Sequence, residues 1–222
     1  MTRIYLHVFA RNHYYDIAVE ILTCIKRSGL NAPITIGLIG DAHAETELYE
    51  LAGVLELETE IVRTDENTFE YHTLSLLWSD AHRARYEKCL YLHTKGVTSA
   101  SPTYTKWRHI MLNALVCAWQ DRLRDLEAHD IAGCFFLDYW PCLAGNFWWA
   151  TADWIRELTA PQKSSDRFAF EKWVCMGQNR RPRLLSLIAH NVEPYLPQSH
   201  ALLGQPFRNF VRRLAAIGSD ER

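Results

Sequence analysis

The sequence predicts an α/β fold with a mainly parallel central sheet covered by helices on both faces. Apolar runs of strand length alternate along the chain with segments whose apolar residues recur at helical spacing. The runs are rich in β-branched residues and nearly continuous in hydrophobicity, as strands buried on both faces are. The chain has 222 residues, 48% hydrophobic and 23% charged, which suits one domain with an extension and a core that needs no disulfide or metal.

Residues 4–10 form the first apolar run. Tyr14, Ile17, Ala18, Ile21, Leu22 and Ile25 then share one helical face, and Ser28-Gly29 supplies a stop. A second β-branched run covers 34–39 and closes on Gly40-Asp41, and a weaker third strand covers 58–63. Leu74, Leu77, Trp78, Ala81 and Ala84 mark a helix, followed by a strand over 89–93. Trp107, Ile110, Met111, Ala114, Leu115 and Ala118 mark a long helix, followed by an apolar strand over 131–137. A further apolar stretch over 146–150 leads into a short helix ending near Leu158. The loose linkers are 98–105 and 161–166, and neither repeats nor low-complexity segments occur. One domain is expected over 1–205. Over 206–222 a basic amphipathic helix is expected, with Phe207, Phe210, Val211, Leu214 and Ile217 on one face and Arg208, Arg212 and Arg213 beside it. It suits docking on the domain or peripheral contact with an anionic membrane.

Several classes are excluded. With 24 basic and 26 acidic residues the net charge is −2, so no global field attracts nucleic acid. The N-terminal apolar stretch is too short and too interrupted for a signal peptide, and the stretch 131–152, broken by Asp138, is too short to span a bilayer. The six cysteines form no CxxC pair and no zinc-like group, which reads as free thiols in a reducing cytoplasm. Dinucleotide, P-loop, nucleophile-elbow and HExxH motifs are absent. His43-Ala44-Glu45 matches half of a zinc deaminase signature, but Gly145 stands where the second cysteine after Pro141-Cys142 would be needed.

Three features carry chemistry. In Leu90-Tyr91-Leu92-His93-Thr94-Lys95-Gly96-Val97 an apolar strand runs straight into a donor-rich exit. Lys95 there can serve as a fixed cation for a phosphate, His93 and Thr94 as hydrogen-bond donors, and Gly96 permits a tight turn. Four tryptophans within fifteen residues surround Gly145-Asn146-Phe147-Trp148-Trp149-Ala150. Their faces suit sugar rings or an aromatic core, with one of the adjacent pair directed each way. Asp138 and Glu171 sit among aromatic residues, where desolvation tunes a carboxylate toward general-base work; a cap or an ion pair with Lys172 is the competing reading. Glu70 and Thr73 open a helix and read as caps, and His82, His109 and His129 as helix-surface residues.

The hexapeptide 91–96, with Trp107-Arg108, the block 145–150 and Glu171-Lys172-Trp173, resembles a group of glycosyltransferases from bacterial surface-polysaccharide clusters (O-antigen, capsule, lipopolysaccharide) and large algal viruses. The resemblance covers residues 69–175, and the first 68 residues agree in layout only. It implies a GT-A-like, Rossmann-type three-layer sandwich and a hexosyltransferase-like enzyme. A nucleotide sugar would be the co-substrate and a glycan or lipid-linked saccharide the acceptor, in the cytoplasm or peripheral to the inner membrane. The nucleotide would lie by Phe9, Arg11 and His13, the diphosphate by His93, Thr94, Lys95 and Gly96, and the acceptor by Asn146, Trp148 and Trp149. Glu171 is the preferred base, with Asp138 second. Typical GT-A enzymes hold Mn²⁺ or Mg²⁺ with an Asp-x-Asp, which this chain lacks, so the metal and Lys95 both stay open as partners of the diphosphate. A non-catalytic sugar- or nucleotide-binding module is the alternative.

Overall fold

Four parallel strands set the frame: β1 (Thr2–Phe9), β2 (Ile34–Ile39), β3 (Thr59–Thr64) and β4 (Lys88–His93). They are connected by α1 (Tyr14–Ser28), α2 (Ala42–Val54) and α3 (Tyr71–His82). The computed structural model describes residues 1–99, 101–137, 140–166 and 168–188. These all lie in a unit spanning Met1–His190; the amphipathic segment expected over 206–222 falls outside the described residues. After β4 come α4 (Pro102–Leu112), a π-helical turn (Asn113–Cys117) and α5 (Trp119–Asp125). Then follow β5 (Ile131–Gly133), β6 (Phe136–Leu137), β7 (Cys142–Leu143), β8 (Trp148–Thr151), α6 (Ala152–Arg156), α7 (Phe168–Trp173) and β9 (Leu184–Ser186). The sheet order is β3-β2-β1-β4-β8-β5-β9, with β8 antiparallel to both its neighbours, and β6 pairs with β7 in a separate ribbon. The mainly parallel α/β sheet expected from the sequence is the observed one.

Alternation along the strands divides the core into two layers. Ile4, Leu6, Val8, Leu90, Leu92 and Trp149 pack with residues of α1, α2, α4 and the π-turn. Tyr5, Tyr91, Trp148 and Ala150 pack with residues of α3, α6 and α7.

Local differences from the expected elements have identifiable causes. α2 was not expected, because its buried stripe (Ala44, Leu48, Leu51, Ala52) is half alanine; Asp41 starts it by accepting from the Ala44 N–H at 2.9 Å. The expected linker over 98–105 is cut short, since Ser101 accepts from the Thr103 N–H and Pro102 opens α4. The expected strand over 131–137 breaks where Phe135 takes a φ of 57°, so that β6 leaves the main sheet. Among the described residues no helix is long and apolar enough to cross a membrane.

The far edge is held by a buried acid. Asp130 accepts from the Arg183 backbone N–H at 2.8 Å and the Arg183 guanidinium at 2.9 Å, and pairs with Arg180. Burial alone would raise its pKa, but these bonds outweigh burial and hold the carboxyl well below the usual range. The clamp sits beside the β5–β9 pairing.

α3 approaches the sheet closely at Gly37. The Thr73 hydroxyl donates to the Gly37 carbonyl at 3.3 Å, and a Cβ on Gly37 would lie 2.0 Å from Thr73 Oγ1. Thr73 Oγ1 is also 2.8 Å from His7 Nδ1. With the single hydroxyl proton directed at Gly37, His7 supplies the Nδ1–H. His7 is 4% exposed, and burial first, then His93 and His72, push its pKa down to about 3.

Two outcomes follow. Gly37→Ala overpacks this contact and should cost about 1–3 kcal/mol of unfolding free energy, read from the denaturation midpoint; an unchanged midpoint would contradict the close approach. His7 stays neutral in the folded chain while its unfolded form takes a proton near pH 6.5. Its contribution is therefore complete above that value and declines as pH falls toward about 3, by up to roughly 1.4 kcal/mol per pH unit. Urea denaturation across that window should show a slope to which buried His93 adds a like share, and His7→Gln should lose the His7 share while keeping that of His93.

Candidate functional site

The strand order turns around at β1. β2 and β3 extend to one side of it and β4 lies on the other, which makes the carboxyl ends of β1 and β4 the switch point where open α/β sheets bind their ligands. His7 and His93 are register partners there, so the chain leaving β1 and the chain leaving β4 emerge side by side. Thr94 stitches the two exits together: its N–H donates to the His7 carbonyl at 3.0 Å, and its Oγ1 accepts from the Phe9 N–H at 3.2 Å. Arg11, Asn12 and His13 are exposed at the start of α1, with the Arg11 guanidinium 5.5 Å from the centre of the Phe9 ring.

Lys95 lies in the tight turn beyond Thr94. It is 9% exposed, and its Nζ stands 4.1 Å from the Trp107 ring centre and 5.8 Å from that of Tyr104. Aromatic faces stabilise a cation that has left water. Behind the turn, Arg108 Nη1 donates to the Lys95 carbonyl at 2.8 Å, while Nε and Nη2 donate to the two Glu20 oxygens at 2.8 and 2.6 Å. Burial tends to raise the Glu20 pKa, but bonds from His109 and Arg108 prevail and lower it. Gly96 has a φ of +90°, and a Cβ there would lie 2.9 Å from Tyr104 Cβ, so the turn requires glycine.

Several expected site residues prove structural. His93 Nε2 donates to the Gly145 carbonyl at 2.8 Å; burial, reinforced by the Lys95 charge, pushes its pKa down to about 3. His93 is therefore neutral with its donor engaged and does not fit the diphosphate-donor role, while Thr94 is 2% exposed and spends its N–H and a hydroxyl lone pair on the stitch. Trp148 and Trp149 are both 0% exposed, on opposite layers of the core, and their indole N–H groups donate to Asn146 Oδ1 and the Leu115 carbonyl. Asn146 is also 0% exposed. The acceptor-binding expectation for these three is corrected: their polar groups and faces are consumed inside the protein. Asp138, the second base candidate, lies outside the described residues.

Glu70 is the residue that sequence reasoning misplaced. It makes no side-chain cap bond at the start of α3. Instead Oε2 accepts from the Tyr91 hydroxyl at 2.6 Å and from Asn146 Nδ2 at 2.5 Å. Asn146 Nδ2 also reaches the Phe170 carbonyl at 3.5 Å. The Gly145-Asn146 turn thus joins β4 through His93, α3 through Glu70 and α7 through Phe170. The available signal was an acid between Phe69 and Tyr71, the same aromatic setting that singled out Glu171.

Glu171 follows Phe170 on α7, which is anchored by the burial of Phe170. Its charge reaches Cys142, whose thiol is pushed up to about 11 by burial first and by Glu171 second. On the same short helix Lys172 Nζ stands 4.3 Å from the Trp140 ring centre, and the Phe168 and Trp140 rings lie 5.3 Å apart. The aromatic rings grouped at α7 are therefore Trp140 and Phe168, with exposed Phe69 against Phe170 at 6.4 Å.

Among the described residues no three His, Cys, Asp or Glu side chains are grouped to hold a divalent cation. A cation placed beside Lys95 would meet a like charge.

Comparison with solved structures places this geometry among known folds. HddC from Yersinia pseudotuberculosis superimposes with a TM-score of 0.54 at 6% identity, covering 95% of this chain and 100% of HddC. HddC complexed with GMP-PN gives a TM-score of 0.53 at 5% identity, over 93% of this chain and 100% of that one. The mannosyltransferase PcManGT from Pyrobaculum calidifontis, in complex with GDP-Man and Mn²⁺, gives a TM-score of 0.51 at 12% identity, over 90% of this chain and 59% of that one. At these identities the likeness is one of fold, and the fold is the GT-A-like, Rossmann-type sandwich that the sequence predicts. A search of curated proteins returned no match. A family model described as a domain of unknown function (DUF8361) matches residues 3–195, and the chain belongs to that family.

Proposed function

We propose that the chain is a nucleotide-sugar-dependent glycosyltransferase whose donor binds at the switch point between β1 and β4. One observation carries the reading: just past the carboxyl end of β4, where the strand order turns, stands a buried lysine with its ammonium over the Trp107 ring and its backbone carbonyl held by Arg108. The diphosphate would lie against Lys95 Nζ and the backbone near Gly96. Phe9, Arg11 and His13 would border the nucleotide, aided by the N-terminus of α1. Glu171 would take the proton from an acceptor hydroxyl. The acceptor oxygen then bonds to the anomeric carbon, the bond from that carbon to the diphosphate breaks, and its electron pair leaves on the diphosphate, which Lys95 neutralises. The acceptor sugar would rest on Trp140 and Phe168 beside Glu171, taking the place first expected of Trp148 and Trp149.

The resemblance extends the proposal to a hexosyl group moved onto a glycan or lipid-linked acceptor in bacterial surface-polysaccharide assembly, at the cytoplasmic face of the inner membrane. The segment 206–222 would supply peripheral contact. A second reading, a non-catalytic sugar- or nucleotide-binding module, is favoured by one feature: the β4 exit carries His93-Thr94-Lys95 where metal-dependent relatives of this fold carry Asp-x-Asp.

Release of free nucleoside diphosphate from a panel of nucleotide sugars separates the two. The transferase should cleave one donor class, slowly with water and faster with a saccharide acceptor, whereas a binder leaves every donor intact. Glu171→Gln should lower turnover by about 10²–10⁴-fold with donor affinity retained. Near-normal turnover in that variant would remove Glu171 from the mechanism.

A further inference from the structure

α1 and the π-turn bring together two cysteines that are 93 positions apart in the chain. Cys24 Sγ and Cys117 Sγ lie 3.8 Å apart; Cys117 is exposed and Cys24 half-buried. Cys89, Cys134, Cys142 and Cys175 are buried, and burial raises each of their thiols. The pair behaves differently. The Cys24 thiol hydrogen-bonds to Cys117, which raises its own pKa and draws that of Cys117 below the ordinary thiol value. The sulfur best able to act as a thiolate is therefore the exposed one, and its resolving partner is already in contact.

We propose that Cys24 and Cys117 form an oxidation site that closes into a disulfide on reaction with a hydroperoxide. The Cys117 thiolate attacks one peroxide oxygen; an S–O bond forms, the O–O bond breaks, and the departing oxygen takes a proton to become water or the corresponding alcohol. Cys117 is then a sulfenic acid. Cys24 sulfur attacks Cys117 sulfur, the S–S bond forms, and the sulfenic oxygen leaves as a second water with the Cys24 proton. Two thiols lose two electrons in total, and the peroxide gains them.

The bond requires the sulfurs to close from 3.8 Å to about 2.05 Å. Rotation of the two side chains, or an approach of α1 to the π-turn, supplies that movement. Glu20 lies one helical turn before Cys24 on α1 and holds Arg108, which holds the Lys95 carbonyl. The cysteine pair and the Lys95 turn are thus linked by a chain of contacts through Glu20 and Arg108. An effect on turnover would rest on the proposed transferase reading, whereas formation of the bond does not.

The test uses the full chain, reduced and then exposed to a small excess of hydrogen peroxide, alkylated in denaturant and weighed intact. Four of the six thiols should then alkylate. Before alkylation the mass should be about 2 Da below that of the reduced chain. Digestion should give a Cys24–Cys117 cross-linked peptide, and dithiothreitol should restore six thiols. In Cys24→Ser, Cys117 should accumulate as a sulfenic acid trapped by dimedone. Six alkylatable thiols after peroxide, a cross-link involving another cysteine, or a disulfide between two chains would each overturn the proposal.

Discussion

Arg108 is 4% exposed, and a guanidinium can be buried at acceptable cost only when its donors are paired. Here Glu20 accepts from two of its nitrogens and the Lys95 carbonyl from a third. Those partners belong to α1 and to the turn after β4, so one side chain of α4 ties together the two segments that border the switch point. The same pairing sets the backbone from which Lys95 extends over Trp107 and Tyr104. Removing Glu20 would leave a buried cation unpaired, whereas removing an exposed pair such as Lys163–Glu66 would change little. The arrangement at the candidate site therefore depends on an interaction made behind it.

A second polar centre complements the first. Asn146 accepts from Trp148 and donates to Glu70 and to the Phe170 carbonyl, while the neighbouring Gly145 carbonyl accepts from His93. A buried network of this kind costs little only when every member is satisfied, and it then specifies one arrangement of its elements. The tryptophans that looked like a sugar platform serve this end: one fills each layer, and each indole N–H finds an acceptor. In the proposed reading the carbohydrate-facing role passes to Trp140 and Phe168, whose rings pack together at α7.

Most of the frame was legible in the sequence, because β1, β2 and β4 carry long apolar runs and α1 shows a clean stripe from Ile17 to Ile25, while β3 gave a weaker signal. The strand over 34–39 was located to the residue. α2 was missed because alanine weakens its stripe, and the division of 131–137 was missed because a non-glycine residue, Phe135, adopts positive φ. The β4 exit was legible as a cluster of polar types after an apolar strand, yet its division of labour was not. Thr94 and His93 are satisfied by partners 52 to 85 residues away, and such pairings leave no trace in local pattern. Glu70 was hidden for the same reason: its partners, Tyr91 and Asn146, come from other elements.

Thermal denaturation with UDP-, GDP- and dTDP-sugars in EDTA, on the wild-type chain and on Lys95→Met, tests the central claim most directly. Methionine keeps the length of the side chain over Trp107 and removes the charge. A donor at 100 times its dissociation constant adds about 2.7 kcal/mol to folded stability, enough for a shift of several degrees. The proposed donor site predicts such a shift for one nucleotide class in the wild type without metal, and its loss in Lys95→Met. No shift with any donor in the wild type, or a full shift in Lys95→Met, would contradict it.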